Sequence, residues 1–216
     1  MARNESKFTG LCPGEVEELN EHKSAAYYKK NQSLFVEGSM PRGVFCLNEG
    51  RVKVYVRGDE GKEQIIHISK PGEIIGFRAM FSEEPYRVTA EAIEESNICF
   101  IAKEDFLSLM DSNASLRNGI IKEMSIELSD RAVFITNMAQ KSVRERLAFV
   151  LVLLDDIYNG EQINLTREDL ANYVGTATET LIRLLKEFKD EKFIDIHTRK
   201  IEILLKKELV KVAGIH

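Results

Sequence analysis

Between residues 38 and 76 the chain carries seven glycines: Gly38, Gly43, Gly50, Gly58, Gly61, Gly72 and Gly76. They separate short runs in which apolar and polar residues alternate. Val44-Phe45-Cys46-Leu47, Val52-Lys53-Val54-Tyr55-Val56 and Gln64-Ile65-Ile66-His67-Ile68 read as strands, and the period of two extends from Ala25 to Ile101. Asn48-Glu49-Gly50-Arg51 and Gly58-Asp59-Glu60-Gly61 read as hairpin turns. Strands this short, broken this often, point to an antiparallel barrel or sandwich.

Helical patterns flank and follow this region. Residues 13–23 enter a short helix through Pro13, with Val16 and Leu19 on one face. Lys103-Glu104-Asp105-Phe106-Leu107-Ser108-Leu109-Met110 reads as another short helix. A long helix is expected from about residue 116 to residue 138. Along it Ile121, Met124, Leu128, Arg131, Ile135 and Met138 recur at alternating spacings of three and four, the seam of a coiled coil. Ile120 and Phe134 lie off the seam and suit packing on the β domain. The two readings are a core helix of one subunit and a helix that pairs two copies; an Arg in the seam and a second apolar face favour pairing. Residues 139–143 form a polar link, and an apolar helix over 144–157 is stopped by Asn159-Gly160.

Residues 165–186 read as two helices and a tight turn. Thr166 suits an N-cap, with Asp169 at the position of a capping-box acid. Leu170 and Val174 share a face, and Gly175 suits the helix end. In the second helix Leu181, Leu184, Leu185 and Phe188 form one stripe, while Thr178, Glu179, Ile182 and Arg183 lie on another. That is the pattern of a helix-turn-helix, whose second helix enters the major groove of DNA. Glu179 can accept from cytosine N4, and Arg183 can fork onto guanine O6 and N7. The plainer alternative is a helical hairpin with a Glu179–Arg183 surface pair. Phe193-Ile194-Asp195-Ile196, His197-Thr198-Arg199-Lys200 and Ile201-Glu202-Ile203 then read as a β-hairpin, a wing whose Arg199 and Lys200 suit phosphate contact.

The chain has 216 residues, 44% hydrophobic and 30% charged, enough for one large or two small domains. No apolar run approaches membrane length and the first residues have no apolar signal core, so the expected location is cytoplasmic. The formal charge is −5, yet residues 141–216 hold 13 basic and 13 acidic residues. The acid excess therefore lies in residues 1–140, and the last part can be basic on one face. Cys12, Cys46 and Cys99 show no C-x-x-C spacing, and Cys46 and Cys99 fall inside strand runs. Buried thiols are the preferred reading over a metal or redox site. His22, His67, His197 and His216 are scattered, and no metal ligand set is assigned. Ser125 and Ser142 have no His nearby in sequence, and the glycine turns lack the Lys-Ser/Thr of a P-loop, so no catalytic residue is assigned and no enzyme is expected.

Glu37-Gly38, Asn48-Glu49-Gly50-Arg51-Val52-Lys53-Val54-Tyr55, Gly61-Lys62-Glu63, Pro71-Gly72-Glu73-Ile74-Ile75-Gly76 and residues 165–186 together resemble the cyclic-AMP receptor protein / fumarate-nitrate regulator (Crp/Fnr) family of bacterial transcription factors. The likeness covers nearly the whole chain. It implies an α+β architecture: a cyclic-nucleotide-binding-like antiparallel β-roll over residues 1–113, a dimerisation helix over 114–138, and a winged helix-turn-helix over 139–216. The expected function is that of a homodimeric, sequence-specific regulator of transcription that binds double-stranded DNA at a near-palindromic operator. RNA polymerase and an unknown small effector are further expected partners, with no membrane partner. A ligand-binding regulatory module without DNA binding is the alternative, and a structural dimer that has lost DNA binding is a third. The winged helix counts against the first of these.

The departures from the family pattern concern the signal. Cyclic-nucleotide binders resembled here place a Glu after the second glycine of P-G-E-x-x-G; this chain has Phe77 after Gly76, and an apolar ring accepts no ribose hydroxyl. Arg87 could hold a phosphate, but Val88 follows where a hydroxyl is wanted. Cyclic AMP is therefore disfavoured. The oxygen-sensing branch holds an iron–sulfur cluster on four cysteines, and this chain has three in all, unclustered, so that cluster is disfavoured too. Haem stays open. Thr178 stands where relatives often begin the reading helix with Arg. Arg131 in the seam needs a partner. Glu127 or Asp130 of the facing helix is one; an anionic effector held by Arg87 and Arg131, with Phe77 packed beside it, is the other.

Overall fold

Strand β3 (Gly43–Glu49) shows how the first half of the chain is built. In the computed structural model, which describes residues 24–58 and 60–215, five consecutive residues of β3 are buried. Val44 and Cys46 face one apolar cluster and Phe45 and Leu47 another. A strand covered on both faces reads as an apolar run, and this one has helices on one side and a second sheet on the other. The helix expected over 13–23, with Cys12, His22, Asp59 and His216, lies outside the described residues.

The chain divides into two units, Met1–Val56 with Ile66–Ser129 and Arg57–Ile65 with Asp130–His216. The first eight strands form two four-stranded sheets. One runs β1 (Ser24–Tyr28), β8 (Ser96–Ala102), β3, β6 (Ile74–Ile75). The other runs β2 (Ser33–Phe35), β7 (Thr89–Ala92), β4 (Val52–Arg57), β5 (Glu63–Ser69). The pairings assigned among the neighbours β1–β8–β3–β6 and β2–β7–β4 are antiparallel. The turn from β3 to β4 passes through Gly50 at φ 88°, where a Cβ would collide with Ser96 Oγ and the Glu95 carbonyl oxygen. Only glycine fits both the backbone angle and the space.

Phe35, Phe45, Leu47, Val52, Val54, Ile75, Ala90 and Ile98 fill the space between the sheets, with Tyr86 stacked on Phe35 at 3.7 Å. Burial pushes the Tyr86 phenol up to about 12. The outer face of the first sheet is covered by three helices. α1 (Phe77–Ser82) is a short helix in which Phe77 and Met80, three apart, turn one face onto the sheet. α2 (Lys103–Ser112) adds Phe106, Leu109 and Met110, and the start of α3 (Ala114–Gln140) adds Leu116 and Ile120.

α3 has 27 residues, about 40 Å at 1.5 Å per residue. It outruns the sequence expectation by including Ala139 and Gln140, because Lys141 N–H still bonds the Asn137 carbonyl at 3.1 Å. The break comes at Ser142. Its hydroxyl accepts from Glu145 N–H at 3.4 Å, and the Glu145 carboxylate takes the Ser142 N–H at 2.8 Å. This capping box starts α4 (Val143–Ile157). Asn159 and Gly160, at φ 52° and 76°, follow its end.

In the second unit α4 is apolar nearly all round, with Leu147, Leu151 and Leu154 fully buried. It packs against α7 (Lys206–Ala213), α5 (Arg167–Val174) and α6 (Thr178–Asp190). β9 (Ile194–His197) and β10 (Lys200–Ile203) form the hairpin, and Ile163 bonds Ile201 in both directions at 2.8 and 3.0 Å. Among the described residues no helix is long and apolar enough to cross a membrane.

Candidate functional site

The Thr166 oxygen caps α5 by accepting from Asp169 N–H at 3.0 Å, and its hydroxyl donates to the Asp169 carboxylate at 2.6 Å. Gly175 closes the helix at φ 72° and sends its N–H to the Ala171 carbonyl at 2.9 Å. Three residues later, at Thr178, α6 begins. Leu181, Leu184, Leu185 and Phe188 are buried, which fixes the helix's rotation. Glu179, Ile182, Arg183 and Lys186 consequently point away from the core, and Thr178 sits half-buried at the first position. Ile182 is 52% exposed although apolar. Arg183 reaches Glu187 at 3.4 Å, in the opposite direction from the Glu179 pair weighed from sequence.

Glu179, Ile182 and Arg183 thus lie exposed within the first turns of one helix, with Thr178 half-buried at its start. The N-terminal end of a helix carries positive partial charge and suits a polyanion. In the wing, His197 and Lys200 are paired in register and leave Thr198 and Arg199 as the turn, with Thr198 at φ 58°. Arg199 and Lys200 are both exposed there. Arg167 of α5 donates to the Arg199 carbonyl at 3.0 Å, and burial lowers the Arg167 pKa. The wing tip is therefore tied to the first helix of the motif.

Three supporting residues carry no signal in the sequence. Arg146 of α4 donates to the carbonyls of Val174 and Gly175 at 3.0 Å each, of Lys141 at 3.1 Å and of Met138 at 3.5 Å. One guanidinium thereby holds the end of α3, the link, and the turn of the helix-turn-helix. Gln64 Nε2 donates to the Asn172 carbonyl at 2.7 Å, and Lys62 Nζ to the Thr176 carbonyl at 3.3 Å. These partners lie more than a hundred positions away, and a charged or amide side chain on a backbone carbonyl leaves no residue-type pairing to find.

The sensor candidates of the first unit have different surroundings. Phe77 is 5% exposed inside the cluster of Val44, Met80 and Phe106, whereas Val88 packs against the cluster between the sheets. Gly76, at φ 95°, precedes α1 and approaches the Tyr86 hydroxyl. The Arg87 side chain is 82% exposed and pairs with Glu84 at 2.8 Å. Glu127, one sequence candidate for Arg131, pairs with Arg78 at 3.0 Å, and Arg131 itself is half-buried. Of the seam, Ile121, Met124, Leu128 and Ile135 are exposed, Leu128 at 73%, while Met138 is half-buried. Among the described residues the thiols are those of Cys46 and Cys99, both buried.

Comparison with known proteins identifies both halves. Residues 25–113 match the cyclic nucleotide-binding domain, and residues 145–212 match the Crp-like helix-turn-helix domain. The fumarate and nitrate reduction regulatory protein of Vibrio cholerae is 30% identical over 194 residues, 87% of this chain and 77% of that protein. The transcriptional activator protein Anr of Pseudomonas aeruginosa is 30% identical over 193 residues, 86% of this chain and 79% of its own. FixK2 of Bradyrhizobium japonicum has the same fold, with a TM-score of 0.80 at 20% identity, covering 88% of this chain and 96% of that one. So does a CRP/FNR-family transcriptional regulator of Thermus thermophilus, with a TM-score of 0.75 at 20% identity over 88% and 98% of the two chains. A cyclic-nucleotide-binding-type β-roll followed by a winged helix-turn-helix, in a chain with relatives this similar over most of their length, belongs to the Crp/Fnr family of DNA-binding transcription regulators.

Proposed function

We propose that this regulator binds its operator as a homodimer, reading bases with α6 and holding the backbone with the wing. The observation that carries the reading is the two-sidedness of α6: its apolar stripe is buried and its Glu179–Ile182–Arg183 face is left bare at the positive end of the helix. Arg183 would fork onto a guanine, Glu179 accept from a cytosine, Ile182 meet a thymine methyl and Thr178 take a phosphate or base edge. Arg199 and Lys200 would hold phosphates. Residues 139–216 serve as the DNA-binding domain, residues 1–113 as the sensor and residues 114–138 as the pairing helix. Ile121, Met124, Leu128, Arg131, Ile135 and Met138 form the seam between copies, and the exposure of Ile121, Met124, Leu128 and Ile135 in a single chain supports this. Paired reading helices would lie about 34 Å apart, one turn of DNA, so the operator is a near-palindrome. RNA polymerase is the partner through which a bound regulator acts on transcription.

The sensed signal is not cyclic AMP on this reading: the buried Phe77 ring offers no acceptor to a ribose hydroxyl, and Val88 no hydroxyl to a phosphate. An anionic effector engaging Arg87 would have to displace the Glu84 carboxylate first. The test is fluorescence anisotropy with a selected operator and random DNA across salt concentrations. Arg183→Ala should cost about 1–3 kcal/mol on the operator and relax preference at one position. Lys200→Ala should weaken both DNAs alike and lower the salt slope by about one. Equal losses of Arg183→Ala on both DNAs would remove α6 as the reader.

A further inference from the structure

Cys46 and Cys99 are 53 positions apart in the chain, yet the antiparallel register of β3 and β8 sets them directly opposite each other. Both side chains enter the same cluster, beneath α1, α2 and the first turns of α3. The register also fixes which kind of pair they form. Leu47 exchanges bonds with the Gly72–Glu73 segment on the far side of β3, and Lys103 N–H bonds the Arg42 carbonyl on the β8 side. Backbone groups alternate sides along a strand, so Cys46 and Cys99 fall at a hydrogen-bonded position, with Cα atoms about 5.5 Å apart. That separation lies inside the range of a disulfide. The Cβ atoms at such a position sit somewhat farther apart than a relaxed bridge wants, so closing it draws the strands together and strains them. A strained bridge is reduced easily, which is the property of a switching disulfide rather than a structural one.

We propose that Cys46 and Cys99 form a reversible dithiol–disulfide site, oxidised by a hydroperoxide. Asn48, an exposed residue, donates its Nδ2–H to Cys99 Sγ at 3.0 Å, which sets Cys99 beside the open end of the strand and makes it the attacking group. Its thiolate attacks one peroxide oxygen and the O–O bond breaks. The departing hydroxide takes up the proton that Cys99 released and leaves as water, with Cys99 now a sulfenic acid. The Cys46 sulfur then attacks the Cys99 sulfur; the S–S bond forms, the S–O bond breaks, and the hydroxyl leaves with the Cys46 proton as a second water. Two thiols and one hydrogen peroxide give one disulfide and two waters. The residual exposure of Cys46 and Cys99, 7% and 6%, exceeds the 0% of Val44 and the 1% of Ile101, and Asn97, next along that face of β8, is exposed, so the pair lies toward the open end of the strand face. Leu116 and Ile120 of α3 lie in the same cluster, so strain at the bridge falls beneath the start of the long helix.

The experiment uses the full chain carrying Cys12→Ser, which removes the third thiol. The reduced protein is treated with hydrogen peroxide, the remaining thiols are alkylated, and tryptic peptides are analysed by mass spectrometry with and without dithiothreitol. The expected result is a peptide pair joined through Cys46 and Cys99, separated by dithiothreitol. Cys46→Ala should leave Cys99 as a sulfenic acid that dimedone captures, whereas Cys99→Ala should leave Cys46 unlabelled by dimedone. Peptides of the Cys12→Ser chain that stay unlinked while peroxide overoxidises the thiols to sulfinic acid would overturn the proposal. Dimedone labelling of Cys46 in Cys99→Ala would overturn the order of attack. The peptide mapping of the Cys12→Ser chain stands whether or not the alanine variants fold.

Discussion

Replacing Arg146 by Met removes the guanidinium and keeps the stem. Three of its four hydrogen bonds, to Val174, Gly175 and Lys141, lie between 3.0 and 3.1 Å; the fourth, to Met138 at 3.5 Å, is at the edge of bonding distance and is left out. Bonds from a charged donor contribute about 1.5–3 kcal/mol each where the partner is left dry. These carbonyls sit at helix ends, and water can reach some of them once the side chain is shorter, so about 1 kcal/mol each is the better figure. The expected loss is about 3 kcal/mol, a large share of the roughly 5–15 kcal/mol that holds a domain together. Arg146→Lys keeps the charge but supplies one compact ammonium in place of a fork, and should recover less than half. Urea unfolding of the full chain followed by circular dichroism measures the effect, as a shift in the transition that reports helices α4 to α6. A shift of under about 1 kcal/mol for Arg146→Met would show that the four contacts are bystanders to packing. Operator binding by Arg146→Met at low temperature, where the protein stays folded, should weaken as well, because the bonds to Val174 and Gly175 fix the turn that aims α6.

A charge on the exposed seam of α3 should abolish pairing of copies: Leu128→Glu with Ile135→Glu is expected to sediment as a monomer, because an unpaired charge in a closed apolar interface costs several kcal/mol, and a dimer surviving both changes would place the interface elsewhere. At the link, the Ser142 hydroxyl and backbone N–H hold the Glu145 carboxyl below the usual carboxylate range. A lowered pKa contributes stability above the ordinary carboxyl value and loses it as pH falls through the depressed one; Ser142→Ala should raise the Glu145 titration seen by NMR toward normal and lower the urea midpoint by removing the N-cap oxygen.

How far the sequence discloses this structure depends on the range of the interaction that fixes each part. Gly50 marks its turn because the demand is local: a left-handed backbone and no space for a Cβ. The α6 stripe is legible for the same reason, since Leu181, Leu184, Leu185 and Phe188 repeat within one helix and settle by themselves which side faces out. The short helix α1 is not legible: six residues give too little period to see, and it exists because Phe77 and Met80 find a sheet beneath them. Phe77 shows the same limit at the candidate sensor, where its chemistry argues against a ribose but its burial is set by strands distant in sequence. Arg146, Gln64 and Lys62 act on backbone carbonyls, which every residue has, so nothing in the partner's identity points back to them.

The cysteines bring both limits together. Each is visible as a thiol within a strand, and strand assignment alone makes them buried. What decides their chemistry is register, and a shift of one residue between β3 and β8 would turn one of the two sulfurs to the other face of the sheet. The register is held by residues with no redox role: Phe45 and Leu47 pack toward the second sheet while Val44 and Ile101 pack toward the helices. Substituting these apolar residues with polar ones would therefore be expected to remove the dithiol pair without touching either cysteine. The alternation that builds the core is also what brings the two sulfurs face to face.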